Sequence, residues 1–163
     1  MTTESGEYIV GAYLQHFYDC DLVLYNQRLK GGKLAGLLEL DVVGISLQKK
    51  EAYLCEVTTH ILGMLIKNRT ATIEKVKQKY MAQQAYAKEN LEKFNVRYML
   101  WSPVVKDKKM IASLHEMRGL QIVINGEYKK RVEQLRELAA KCTHDMGNPF
   151  MRTMQILSRL RDD

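Results

Sequence analysis

The chain has 163 residues, 46% of them hydrophobic and 27% charged, and a formal net charge of +6. That is the size of one ordinary domain with enough apolar residues for a packed core, and it excludes a low-complexity chain. No apolar run reaches the roughly 18 residues of a membrane span and no charged-then-apolar leader opens the sequence, which predicts a single domain over 1–163, no membrane and a cytoplasmic location.

Cys20, Cys55 and Cys142 lie far apart and form no CxxC pair. That argues against a disulfide framework and against a zinc site, and it fits a reducing compartment. The histidines, His16, His60, His115 and His144, are equally dispersed. The positive charge is concentrated. Between Lys67 and Lys109, eleven basic residues face four acids, Glu74, Glu89, Glu92 and Asp107. Such a segment suits a polyanionic partner or a solvated helix face.

In chain order, Ser5–Tyr18 reads as a helix, with Tyr8, Ile9, Ala12, Tyr13 and Phe17 at helical spacing. Ser5 is its candidate N-cap, and Glu7 sits in the first turn, where the helix dipole favours an anion. Three strand-like runs follow. The first is Leu22–Leu29, and the Gly31-Gly32 pair then marks a loop. The second is Leu37–Leu47. A short polar turn, Gln48-Lys49-Lys50, leads to the third, Ala52–Thr59, which indicates an antiparallel hairpin. A long helix is predicted over Thr70–Phe94, with Ile73, Val76, Tyr80, Ala87, Leu91 and Phe94 as its apolar stripe and Gln84 as an anomaly on it. Then come a strand at Val96–Val105 ending near Pro103, a helix at Lys109–Met117, a strand at Leu120–Ile124 and a helix at Glu127–Cys142. A break at Gly147-Asn148-Pro149 precedes a last helix, Phe150–Leu160. The order argues an α/β fold with a mixed sheet flanked by helices, its core at about 5–125 and a helical C-terminal extension at about 127–163.

The stretches Glu39-Leu40-Asp41 and Glu56-Val57-Thr58 carry the chemistry. Both strands are apolar, yet each holds acids. Side chains alternate along a strand, so Glu39 and Asp41 point to one face of their strand, as do Glu56 and Thr58 on theirs. Pairing through the short turn lets Asp41 and Glu56 converge. Two carboxylates crowded in an apolar setting repel each other and are costly to desolvate. A divalent cation relieves both penalties, and hard oxygen ligands suit Mg²⁺ or Mn²⁺.

This pattern resembles the PD-(D/E)XK nuclease superfamily over roughly residues 5–105. It is nearest in feel to the restriction-endonuclease-like and Holliday-junction-resolvase-like members. The resemblance implies an α-β-β-β-α-β core and an acid on the first helix, here Glu7. It implies E-x-D on one strand, here Glu39 and Asp41, and E-x-K on the next, where this chain has Glu56-Val57-Thr58. It further implies a metal held by Asp41, Glu56 and the backbone carbonyl of Val57, and hydrolysis of a phosphodiester by an activated water. Nucleic acid is the implied partner, DNA ahead of RNA.

Thr58 departs from that pattern, because threonine cannot supply the lysine's positive charge. A lysine can reach the site from elsewhere, the metal and Thr58 can suffice, or the domain only binds. The donor read from the stripe of the long helix is Lys77, while Lys75 and Lys79 read as more exposed.

Other signals are weaker. His144-Asp145 lacks the partners of a metal dyad. His60 follows the third strand and reads as a loop or core histidine. Tyr80, Tyr86, Tyr98 and Trp101 read as core. Lys129, Lys130, Arg131, Arg136 and Lys141 could touch phosphates or face solvent. Met146, Phe150, Met151, Met154 and Leu157 offer an apolar surface that either caps the core or forms a homodimer. A catalytically inactive nucleic-acid-binding module and a protein-interaction subunit are the rival readings.

Overall fold

The structure, a computed structural model, describes residues 3–28, 39–64 and 67–160. The elements are α1 (Ser5–Phe17), β1 (Leu22–Arg28), β2 (Glu39–Ser46), β3 (Glu51–Val57), α2 (Arg69–Asn90), β4 (Asn95–Ser102), α3 (Lys108–His115), β5 (Leu120–Ile124), α4 (Asn125–Lys141) and α5 (Pro149–Leu157). The predicted order is therefore present, with ends shifted by a few residues. Leu29, the Gly31-Gly32 loop, Leu37 and Leu38 lie outside the described residues.

The strands form one five-stranded mixed sheet in the order β1-β2-β3-β4-β5. The first three strands run antiparallel. β4 and β5 join in parallel, as a helical crossover between each pair requires. The β2–β3 hairpin pairs Ser46 with Glu51 and continues to Val42 with Cys55. β4 stops at Ser102, one residue before Pro103, which has no N–H to offer a neighbour.

Helices cover both faces. On one, α1, α4 and α5 bury Val10, Leu14, Leu135 and Met151 against Val42, Cys55, Met99 and Trp101. Gly44 lets α1 come close, because a Cβ there would lie 2.8 Å from Leu14 Cδ1 and 2.9 Å from Cys20 Sγ. The opposite face holds α2 over Val43 and Leu54 and α3 over Leu100 and Val105. No helix among the described residues is long and apolar enough to cross a membrane.

Two sequence expectations change here. The N-cap of α1 is Glu4, and Ser5 is already helical. Glu7 supplies the reason: its carboxylate accepts the Glu4 backbone N–H at 2.9 Å, half of a capping box. Arg131 is buried rather than available to phosphates. Its guanidinium lies 4.7 Å from the Trp101 ring centre and 4.9 Å from that of Tyr13, with Glu127 bonded to its Nε at 3.0 Å. Met146 and Met151 are buried, and Phe150 and Met154 pack against the same core. Leu157 alone of that apolar set stays exposed. Asn148 caps α5 through Phe150 and Met151 and ties it to the Tyr8 carbonyl of α1.

Candidate active site

The hairpin register fixes the position of the acids. Val42 opposes Cys55, so the next step along the ladder sets Asp41 beside Glu56. Both point toward α2, on the side of Val43 and Leu54. Asp41 is 9% exposed, and its Oδ2 accepts the Val57 N–H at 2.7 Å. That bond holds one carboxylate oxygen in place and leaves Oδ1 facing the helix.

The helix answers with Lys79. Its ammonium bonds Glu56 Oε1 and stands 3.8 Å from Asp41 Oδ1. Burial alone would push the Lys79 ammonium toward neutrality, but the Glu56 and Asp41 charges outweigh it and raise its pKa. Burial and the neighbouring Asp41 push Glu56 up to about 8, against the pull of Lys79. Two carboxyl groups and one ammonium thus share a partly dry space.

Lys77, the sequence-based donor, is exposed on the outer side of α2. The cause is the phase of the helix. Its buried residues are Thr72, Val76, Gln83 and Ala87, and position 79 falls between Val76 and Gln83 on that line. Ile73 and Tyr80 lean instead toward α3 and β5. Gln84 is exposed, and Gln83 is the buried glutamine.

A cleft of about 220 Å³ opens beside the acids. Glu56, Val57, Thr58, Thr59 and His60 form one wall, and Thr72, Lys75, Val76 and Lys79 form the other. Thr58 is half-buried, and its N–H donates to the Trp101 carbonyl at 2.9 Å. His60 is exposed at the rim. Glu4, which sequence reasoning passed over, also lines the cleft and accepts the Thr59 hydroxyl at 3.2 Å.

Glu7 is buried near Asp41, but its carboxylate is already engaged. It accepts the Glu4 N–H at 2.9 Å and the Asn26 amide at 3.0 Å. Burial raises its pKa, those two bonds oppose the rise, and the Asp41 charge adds to it. Asn26 sits between the pairs Tyr25–Val42 and Gln27–Leu40, hence opposite Asp41. Its φ of 52° is left-handed, a conformation asparagine tolerates better than most residues.

The arrangement could hold a small hard cation. Two carboxylates on adjacent strands, with the Val57 carbonyl, are the oxygen donors that Mg²⁺ accepts when water and phosphate complete its shell. Among the described residues, no group of three or more His, Cys, Asp or Glu side chains is placed to hold a metal. A cation here would therefore rest on two side chains and on the substrate. No protein-family model matches the chain, and no curated protein matches its sequence.

Proposed function

We propose that this chain is a metal-dependent nuclease or nuclease-related protein of the PD-(D/E)XK, restriction-endonuclease-like type, acting on DNA in the cytoplasm. The observation that carries the reading is Lys79, whose ammonium bridges Asp41 and Glu56 from the neighbouring helix. It supplies from α2 the positive charge that Thr58 cannot supply from β3. The α-β-β-β-α-β order over residues 5–102 supports the same reading.

Asp41 and Glu56 would hold Mg²⁺ or Mn²⁺ with the Val57 carbonyl. Such an ion, when bound, lowers the pKa of a water and neutralises charge on a phosphate. Lys79 orients Glu56 and places a positive charge where phosphoryl oxygens gain negative charge. The Thr58 hydroxyl can donate to a phosphate oxygen from the cleft wall. Glu7 acts from behind, holding the start of α1 and adding negative potential at Asp41. The exposed Lys75 at the cleft wall suits a DNA backbone.

A second reading, a binding module without catalysis, draws on the same ion pair. Lys79 already neutralises part of the charge that a metal would otherwise relieve. One experiment separates the two. Supercoiled, branched and single-stranded DNA, and RNA, are incubated with the protein and with Asp41→Ala in Mg²⁺ and in Mn²⁺. Cleavage by wild type alone supports the enzyme. Salt-dependent binding with no cleavage by either supports the module.

A further inference from the structure

The β3–α2 connection carries a second feature, outside the carboxylates. Ile61 is 84% exposed and Leu62 is 87% exposed. Solvating two adjacent aliphatic side chains is unfavourable relative to burying them. A disordered tail can bear such residues cheaply, but this segment is anchored on both sides. The Gly63 N–H donates to the His60 carbonyl at 3.0 Å, closing a turn with Ile61 and Leu62 at its tip. Gly63, with φ of 119°, takes a conformation open to glycine. Directly after it, the Met64 N–H donates to the Val104 carbonyl at 3.0 Å, and the Met64 side chain is buried. Before it, Thr58 is bonded to Trp101. The fold therefore presents the apolar pair outward on a fixed support.

Lysines stand near the turn, while Glu4 and Glu56 line the adjoining cleft. Lys67 follows the turn, Lys75 lines the cleft, and the Lys106 chain runs within 3.9 Å of where a Gly63 Cβ would lie. Among the described residues, none of these three lysines pairs with an acid. An apolar tip with unpaired lysines on one side complements a polyanion that has apolar faces inside it. Stacked bases behind a phosphate backbone have that character, and Ile and Leu are among the side chains that wedge between base steps.

We propose that the Ile61-Leu62 turn is a nucleic-acid wedge that contacts an unstacked base step beside the cleft, while Lys67, Lys75 and Lys106 hold the flanking phosphates. This rests on the nucleic-acid reading above and narrows it to DNA whose stacking is already interrupted or easily opened.

The test measures binding, in EDTA, of the full chain to a 2-aminopurine-labelled duplex with a two-nucleotide bulge and to a fully paired duplex of the same length. Wild type and the Ile61→Ser/Leu62→Ser variant are compared at one salt concentration. Both substituted residues are exposed, and circular dichroism checks that the variant keeps its fold. The expected result is a wild-type preference for the bulged probe of about ten-fold, with brightened 2-aminopurine, and loss of both in the variant while paired-duplex affinity stays unchanged. Equal affinity of wild type for the two probes overturns the wedge even if DNA is bound and cut. So does an unchanged preference in the variant. Binding of neither probe, with capture of the wild-type chain on neutral phospholipid vesicles, overturns it in favour of an apolar partner surface. Because no metal is present, failure of catalysis leaves this measurement intact.

Discussion

Lys79 of α2 and Glu56 of β3 form an ion pair across 23 residues of sequence, inside the space that Asp41 also enters. The side chains are 21% and 13% exposed. Solvent therefore screens the pair only in part, and removal of one partner leaves the others poorly compensated.

Lys79→Met should destabilise the protein by about 3 kcal/mol, the scale for breaking a largely buried pair. Glu56→Gln in the same background should recover part of that loss, because the orphaned carboxylate is gone. Urea unfolding of the two single variants and the double variant gives the coupling directly. Additive losses would mean that the pair carries no energy of its own.

The Lys79→Met variant also allows a rescue. Thr58 is half-buried on the cleft wall and follows Glu56 by two residues, so it looks into the same space. Thr58→Lys added to Lys79→Met should restore DNA cleavage by at least about ten-fold over Lys79→Met alone, as one well-placed cation can. No gain, in a double variant whose circular dichroism is native, would separate Lys79 from the lysine role.

The hairpin was legible in the sequence because its turn is short and its strands alternate. The pairing of Asp41 with Glu56 followed from that. The lysine was not legible, for a physical reason. Apolar residues on α2 mark the side toward α3, through Ile73 and Tyr80. The side over the acids buries Thr72 and Gln83 with Val76 and Ala87. Half of that stripe is polar, so apolar periodicity points past it, to Lys77. The Glu4 cap was hidden similarly: Ser5 is the better intrinsic N-cap, and the Glu4–Glu7 bond decides the boundary. Arg131 read as a surface cation because its aromatic neighbours, Tyr13 and Trp101, come from distant elements.

Stability should depend on pH through His16, in the last turn of α1. Among the described residues its buried Nε2 has no hydrogen-bond partner. Burial first, and His144 second, lower its pKa below 6.5. The folded state thus binds fewer protons than the unfolded state near pH 6. The His16 contribution is fully present above 6.5 and is lost as pH falls through its lowered folded value. Melting at pH 7.5 and at pH 5.0 should show a smaller drop for His16→Gln than for wild type. An equal drop would assign the acid sensitivity elsewhere.

Gly44→Ala tests the approach of α1 to the sheet. The new methyl would meet Leu14 Cδ1 at 2.8 Å and Cys20 Sγ at 2.9 Å in a buried strand. Overpacking of this kind costs about 1–3 kcal/mol. Denaturant unfolding should show that loss, and a neutral result would mean that α1 shifts without penalty.

The role of Lys79 as the site's cation is tested by the rate at which the protein nicks supercoiled DNA in Mn²⁺, measured beside Lys79→Met. Wild type should nick in a metal-dependent way, and the variant should be slower by about 100-fold or more, the scale for removing one electrostatic stabiliser. Equal rates in the two proteins, or nicking that persists in EDTA, would contradict this.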